Sequence, residues 1–135
     1  MKIDHINLTV ENLEQSIEWY SNTFGFEMKE KGIGVRGQAW VIVGKDDSMI
    51  AMNEYKLLSA ETNLQSEFHK INHFGIRISK EKAWEKKINE YQIKVYYGGV
   101  VQHPFSKSWY IKDPSGHEIE VSFSENKVLQ FFGTN

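Results

Sequence analysis

Hydrophobic and polar residues alternate from the start of the chain. Ile6, Leu8 and Val10 fall on one face and Ile3, His5, Asn7 and Thr9 on the other, the period of two that predicts a β-strand over 3–10. From Asn12 the period lengthens. Leu13, Ile17, Tyr20 and Phe24 share one helical stripe, Asn12 with Gln15 three residues later resembles a capping box, and Gly25 marks the stop. Three short runs rich in β-branched and aromatic residues follow, at 26–31, 38–43 and 49–54. They are separated by Gly32-Ile33-Gly34 and Lys45-Asp46-Asp47-Ser48, and each predicts a strand. The first module therefore reads βαβββ.

Residues 55–69 are polar and without a clear period, which predicts a connector. The pattern then recurs: a strand over 70–78, a helix from Ser79 with Trp84, Ile88 and Tyr91 inward, and strands near 93–99, 107–112 and 117–123. Residues 1–135 are thus predicted to form a single domain, with module one at about 1–54, the connector at about 55–69 and module two at about 70–124. Trp40, Trp84 and Trp109 are expected in the core between sheets and helices.

The recurrence extends to individual residues. Ala39-Trp40-Val41-Ile42 through Ile50-Ala51-Met52 superimposes without gaps on Ser108-Trp109-Tyr110-Ile111 through Ile119-Glu120-Val121, and Ile3-Asp4-His5-Ile6 matches Ile71-Asn72-His73-Phe74. His5 is then equivalent to His73, and Ala51 to Glu120. Alternation turns both histidines, Glu120 and Tyr110 away from the helix-packed face, and Asn7, Asn53 and Arg77 share that parity. A lone strand histidine is most often a hydrogen-bonded, partly buried residue. Two at repeat-equivalent places, with an inward carboxylate at a third, form the donor set of a divalent cation that keeps coordination positions open. Glu118 lies on the same face as Glu120 and is the rival carboxylate, whereas His69 and His117 face away.

Composition narrows the partners. Net charge is −2, and the 16 basic residues are scattered, so no phosphate-neutralising stripe points to nucleic acid. Lys80, Lys82, Lys86 and Lys87 interleave with Glu81, Glu85 and Glu90 as a solvated helix face. The chain has no cysteine, which removes disulfide, thiolate-zinc and cysteine-nucleophile chemistry. No leader-like or membrane-spanning apolar run occurs, and a soluble cytoplasmic protein without a membrane partner is expected.

The opening Ile3-Asp4-His5-Ile6, the segment Asn12-Leu13-Glu14-Gln15-Ser16-Ile17-Glu18-Trp19-Tyr20, the middle Ile71-Asn72-His73-Phe74 and the ending Tyr110-Ile111-Lys112-Asp113-Pro114-Ser115-Gly116-His117-Glu118-Ile119-Glu120 together resemble the vicinal oxygen chelate superfamily. Its members include glyoxalase I, extradiol dioxygenases, fosfomycin-resistance enzymes and bleomycin-binding proteins. The resemblance implies an α+β fold of two tandem βαβββ modules forming an incomplete mixed β-barrel with flanking helices, commonly in a homodimer. It places a divalent metal (Zn, Mn, Fe, Ni or Co) on His5, His73 and Glu120. It implies an enzyme that binds vicinal oxygens of a small-molecule substrate, with lyase or isomerase, dioxygenase and fosfomycin-type thiol transferase chemistry all open. In that setting Tyr110 is the candidate proton donor, and Asn7, Asn53 and Arg77 are candidate substrate contacts. Ala51 stands where glyoxalase I is expected to carry a second glutamate, which leaves three protein ligands. His103 is only a candidate for the acid-base histidine of the dioxygenases. The alternative is a non-catalytic, ligand-sequestering protein of the bleomycin-binding type, against which the intact triad argues.

Overall fold

The computed structural model describes residues 5–34, 37–55, 71, 73–103 and 106–125. The chain divides into two compact units, Met1–Phe68 with Asp113–Ser115, and His69–Lys112 with Gly116–Asn135. Each holds one helix and one four-stranded mixed sheet, so the fold is α+β with two βαβββ modules as predicted, and neither sheet closes on itself.

In the first unit β1 (Ile6–Val10), α1 (Leu13–Phe24), β2 (Glu27–Ile33), β3 (Ala39–Lys45) and β4 (Ser48–Glu54) follow one another, and the strands lie in the order β1-β4-β3-β2. β1 runs parallel to β4 and the other pairs are antiparallel. The capping signals act at α1. The Asn12 side chain accepts from the Gln15 N–H at 2.9 Å, and Glu54 Oε2 accepts from the Leu13 N–H at 2.9 Å. Two of the four donors that a helix start leaves without intrahelical partners are thereby satisfied. Gly25 ends the helix at φ 73°, where a side chain would be strained. The core gathers Leu13, Tyr20, Phe24 and Phe26 with Leu8, Val10, Val41, Val43, Ile50 and Met52. Tyr20 makes edge-on contacts with Trp19 and Phe26. Its hydroxyl donates to Asp113 Oδ2 at 3.0 Å in the buried interior, while Asp113 Oδ1 accepts from the Ser115 N–H at 3.0 Å. Burial first, and the Asp113 carboxylate second, push the Tyr20 hydroxyl far above the usual tyrosine pKa.

In the second unit β5 (Phe74–Ile78), α2 (Glu81–Glu90), β6 (Val101–Gln102), β7 (Lys107–Lys112) and β8 (Glu118–Phe123) give the strand order β5-β8-β7-β6. Trp84 is buried from α2, Trp109, Ile111, Ile119 and Val121 are buried from the sheet, and Glu81 of α2 pairs with Lys107 of β7. The expected strand near 93–99 is absent. Gln92 and Tyr97 adopt positive φ, Gly98 and Gly99 continue the left-handed run, the Tyr96 N–H makes a single bond to the Tyr110 carbonyl, and the ladder with β7 begins at Val101–Gln102. Tyr91 lies past the end of α2 and is exposed rather than inward. Residues 56–70, most of the predicted connector, lie outside the described residues, as do Ile3, Asp4 and His69.

The two sheets are not gapless copies. Val41 pairs with Met52 and Ile42 with Ala51, whereas Trp109 pairs with Val121 and Tyr110 with Glu120. Ala51 remains equivalent to Glu120, but Ile42 corresponds to Tyr110 and Trp40 to Ser108, one place off the sequence superposition. The β7–β8 hairpin is one residue longer than the β3–β4 hairpin at equivalent rungs. Because strand side chains alternate, that one residue moves Trp40 off the core face. It lies half-buried beside Asn53 on the opposite face, across Gly32, where a Cβ would come within 2.8 Å of its ring.

Candidate metal and substrate site

In the second unit the non-core face of the sheet gathers most of the residues that could bind a cation. The parallel register sets Gly75 beside Glu120 and Arg77 beside Ser122, and the antiparallel register sets Tyr110 beside Glu120 and Lys112 beside Glu118. His73 precedes β5 with the parity of Gly75, so its ring leans toward Glu120, and Nε2 lies 3.2 Å from Glu120 Oε2. The other carboxylate oxygen, Oε1, accepts from Ser108 Oγ at 2.6 Å. Both members of the pair keep access to solvent, with side chains 35% and 25% exposed. An imidazole nitrogen and a carboxylate oxygen turned toward one another from neighbouring strands are a donor pair that a first-row divalent cation accepts.

Aromatic rings line the same face. Tyr110 meets His73 edge-on at 5.9 Å between centroids, and Tyr97 meets Tyr110 edge-on at 5.4 Å. Partial burial, then the carboxylates of Glu120 and Glu118, raise the pKa of the Tyr110 hydroxyl, which therefore stays protonated through the neutral range. Tyr97 donates its hydroxyl to Glu118 Oε1, which is the chief cause of its own raised pKa. The rival carboxylate is thus occupied by a tyrosine. Tyr97 was invisible to strand periodicity because its backbone is left-handed. Ser108, fully buried, was legible only as a marker of the repeat, although it shares the parity of Tyr110.

In the first unit, Asn53 Nδ2 donates to Asn7 Oδ1 at 2.9 Å across β1 and β4, on the face that also carries Ala51 and Trp40. Glu54 is turned to the other face, at the start of α1. His5 directly precedes β1 with the parity of Asn7 and is exposed. Arg77 is exposed on β5 with the parity of His73. His103 donates its backbone N–H to the Ser106 carbonyl. Among the described residues no group of three or more His, Asp or Glu side chains is gathered as a metal cluster; within the second unit the pair His73–Glu120 is brought together.

Comparison with known proteins gives the same direction. The model of the Glyoxalase/Bleomycin resistance protein/Dioxygenase superfamily matches residues 2–121. The trivalent organoarsenical cleaving enzyme of Bacillus sp. (strain MD1) is 28% identical over 136 residues, covering 95% of this chain and 76% of that protein. The metallothiol transferase FosB of Staphylococcus epidermidis is 28% identical over 121 residues, covering 88% and 79%. Of solved structures, a glyoxylase/bleomycin resistance protein/dioxygenase domain from Frankia sp. EAN1pec matches with a TM-score of 0.77 at 14% identity, over 95% of each chain. The fosfomycin resistance protein FosX from Listeria monocytogenes, complexed with Mn(II) and sulfate, matches with a TM-score of 0.65 at 17% identity, over 91% of this chain and 92% of that one. At such identities the structural matches carry the fold. No helix among the described residues is long and apolar enough to cross a membrane.

Proposed function

Because this chain belongs to the Glyoxalase/Bleomycin resistance protein/Dioxygenase superfamily, we propose that it is a metal-dependent enzyme acting on a small oxygen-bearing molecule, with transfer of an external thiol to an electrophilic carbon as the leading chemistry. The observation that carries this reading is the His73–Glu120 pair, a nitrogen and an oxygen donor 3.2 Å apart on a solvent-accessible face. His5, repeat-equivalent to His73, is the third ligand in this proposal, and Ala51 leaves the place equivalent to Glu120 without one. A divalent cation so held supplies Lewis-acid stabilisation to substrate oxygens.

The chain's own residues have definable parts in this reading. The protonated Tyr110 hydroxyl stands beside Glu120 and serves as hydrogen-bond donor to an oxygen on which negative charge develops. Asn7 and Asn53 bond to one another, which leaves the amide nitrogen of Asn7 and the amide oxygen of Asn53 for substrate. Arg77 is the cationic contact for an anionic group. With no cysteine in the chain, a thiol nucleophile has to arrive as cosubstrate. The same absence bears on the organoarsenical-cleaving relative: trivalent arsenic is a soft centre that prefers sulfur, and this chain offers it no thiolate. The similarity to FosB, a metallothiol transferase, therefore fits the residues better. We also propose a homodimer, in which a second copy covers exposed sheet edges; light scattering at the mass of one chain over a wide concentration range would argue against it.

The test is elemental analysis of protein purified without added metal, followed by assays on a panel of epoxides with thiols, hemithioacetals and catechols. His5→Ala, His73→Ala and Glu120→Gln should each lower metal occupancy in a folded chain. Wild-type occupancy in all three would defeat the ligand assignment, and tight ligand binding with no turnover across the panel would favour a sequestering protein.

A further inference from the structure

We infer that Ser108 is a positioning residue that holds Glu120 as a single-oxygen metal ligand, an inference resting on the proposed role of Glu120. Ser108 is fully buried on β7, two residues before Tyr110, and its hydroxyl donates to Glu120 Oε1 at 2.6 Å. This is the short range of hydrogen bonds to a charged acceptor. Glu120 Oε2 is the oxygen turned to His73. The carboxylate is therefore divided: one oxygen is fixed from beneath by a buried donor, and the other is presented at the solvent-accessible end of the pair.

That division has a chemical consequence. A carboxylate free to rotate can close on a cation with both oxygens and occupy two coordination positions. With Oε1 already accepting from Ser108, Glu120 offers one oxygen in one orientation, and a position that a second oxygen would take stays available to substrate. The equivalent place in the first unit is held by Trp40, which has no hydroxyl to give, and its neighbour Ala51 has no carboxylate to hold. The serine and the glutamate occur together in one copy and are missing together from the other.

The experiment measures Mn2+ affinity of the full chain by calorimetry, with thermal melting of the metal-free protein alongside. Ser108→Ala should weaken Mn2+ binding by about ten- to a hundredfold, the usual effect of removing a hydrogen-bond partner of a metal ligand, while the metal-free protein still melts cooperatively. Ser108→Thr, which keeps the hydroxyl, should bind within about threefold of wild type. Ser16→Ala, which removes an equally buried hydroxyl from the helix of the other unit, should bind Mn2+ as wild type does. Wild-type affinity in a folded Ser108→Ala protein overturns the inference. So does a folded Ser108→Thr as weak as Ser108→Ala, or an equal loss in Ser16→Ala. Glu120→Gln separates the two levels: unchanged Mn2+ binding there defeats the ligand assignment itself, whereas loss there with no loss in Ser108→Ala defeats only the role given to the serine.

Discussion

Replacing Tyr20 by Phe removes the hydroxyl that donates to the Asp113 carboxylate. Asp113 is only 5% exposed, and its oxygens accept from the Tyr20 hydroxyl and from the Ser115 N–H. A hydrogen bond to a charged group contributes about 1.5–3 kcal/mol net, and the phenyl ring keeps the aromatic contacts with Trp19 and Phe26. The expected cost is therefore about 2 kcal/mol at pH 8, or a melting temperature lower by roughly 8 °C in a chain of this size. The pH dependence follows from the direction of the shift. The folded state keeps Tyr20 protonated above the ordinary value of 10.0, so the stabilisation is whole below that pH. It is lost as the unfolded state ionises, by about 1.4 kcal/mol per pH unit. By pH 11 the difference between wild type and Tyr20→Phe should have shrunk to roughly 0.6 kcal/mol by the same arithmetic. Urea unfolding at pH 8 and at pH 11 measures both values. A cost under about 0.5 kcal/mol at pH 8 would mean that the Asp113 carboxylate finds another donor, and a cost that does not change by pH 11 would mean that the Tyr20 hydroxyl titrates alike in the folded and unfolded states; either would refute the reasoning.

Substitutions at three further positions probe other parts of the molecule. Ser16→Ala should raise stability by about 1 kcal/mol in thermal melts, since Ser16 Oγ is fully buried without a hydrogen-bond partner among the described residues and alanine is the better helix former. Glu54→Ala should lower stability by about 1 kcal/mol in urea titrations, because the Leu13 N–H loses its acceptor and the start of α1 loses a negative charge. Glu54→Gln, which retains an acceptor oxygen, should cost less. Ala51→Glu should raise Mn2+ affinity and lower turnover of the native substrate by adding a second carboxylate, as a fourth ligand of the proposed site, beside Asn7; unchanged affinity would show that residue 51 does not face the cation.

Much of this was legible in the chain. Leu13, Tyr20 and Phe24 are buried along the predicted stripe and Gly25 ends it, because capping and helical period are local signals. The parity that set His73, Tyr110 and Glu120 on one face held, since β5 and β8 alternate cleanly between apolar and polar. β3 offers no such guide: Ala39, Trp40, Val41, Ile42 and Val43 are apolar at every position, so its two faces read alike, and only pairing with β4 shows that Val41 and Val43 are the buried pair. The run before β6 misled for another reason. Its β-branched and aromatic residues look strand-like, but Gln92, Tyr97, Gly98 and Gly99 take left-handed backbone angles that no ladder tolerates in series. Ser108 carried the right parity, yet a serine becomes meaningful only when the partner across the rung is known to be Glu120's neighbour.

The extra residue in the β7–β8 hairpin makes the two modules non-interchangeable. A chimera built from two copies of the second module would present two Ser–Tyr–Glu faces, whereas one built from two copies of the first would present two faces of Trp, Ile and Ala with no carboxylate among those three places. The carboxylate itself is set by Glu120 standing where the other copy has Ala51, whereas the turn length sets which β7 residues stand beside it, and deleting a residue from that turn should exchange the two faces of a whole strand at once.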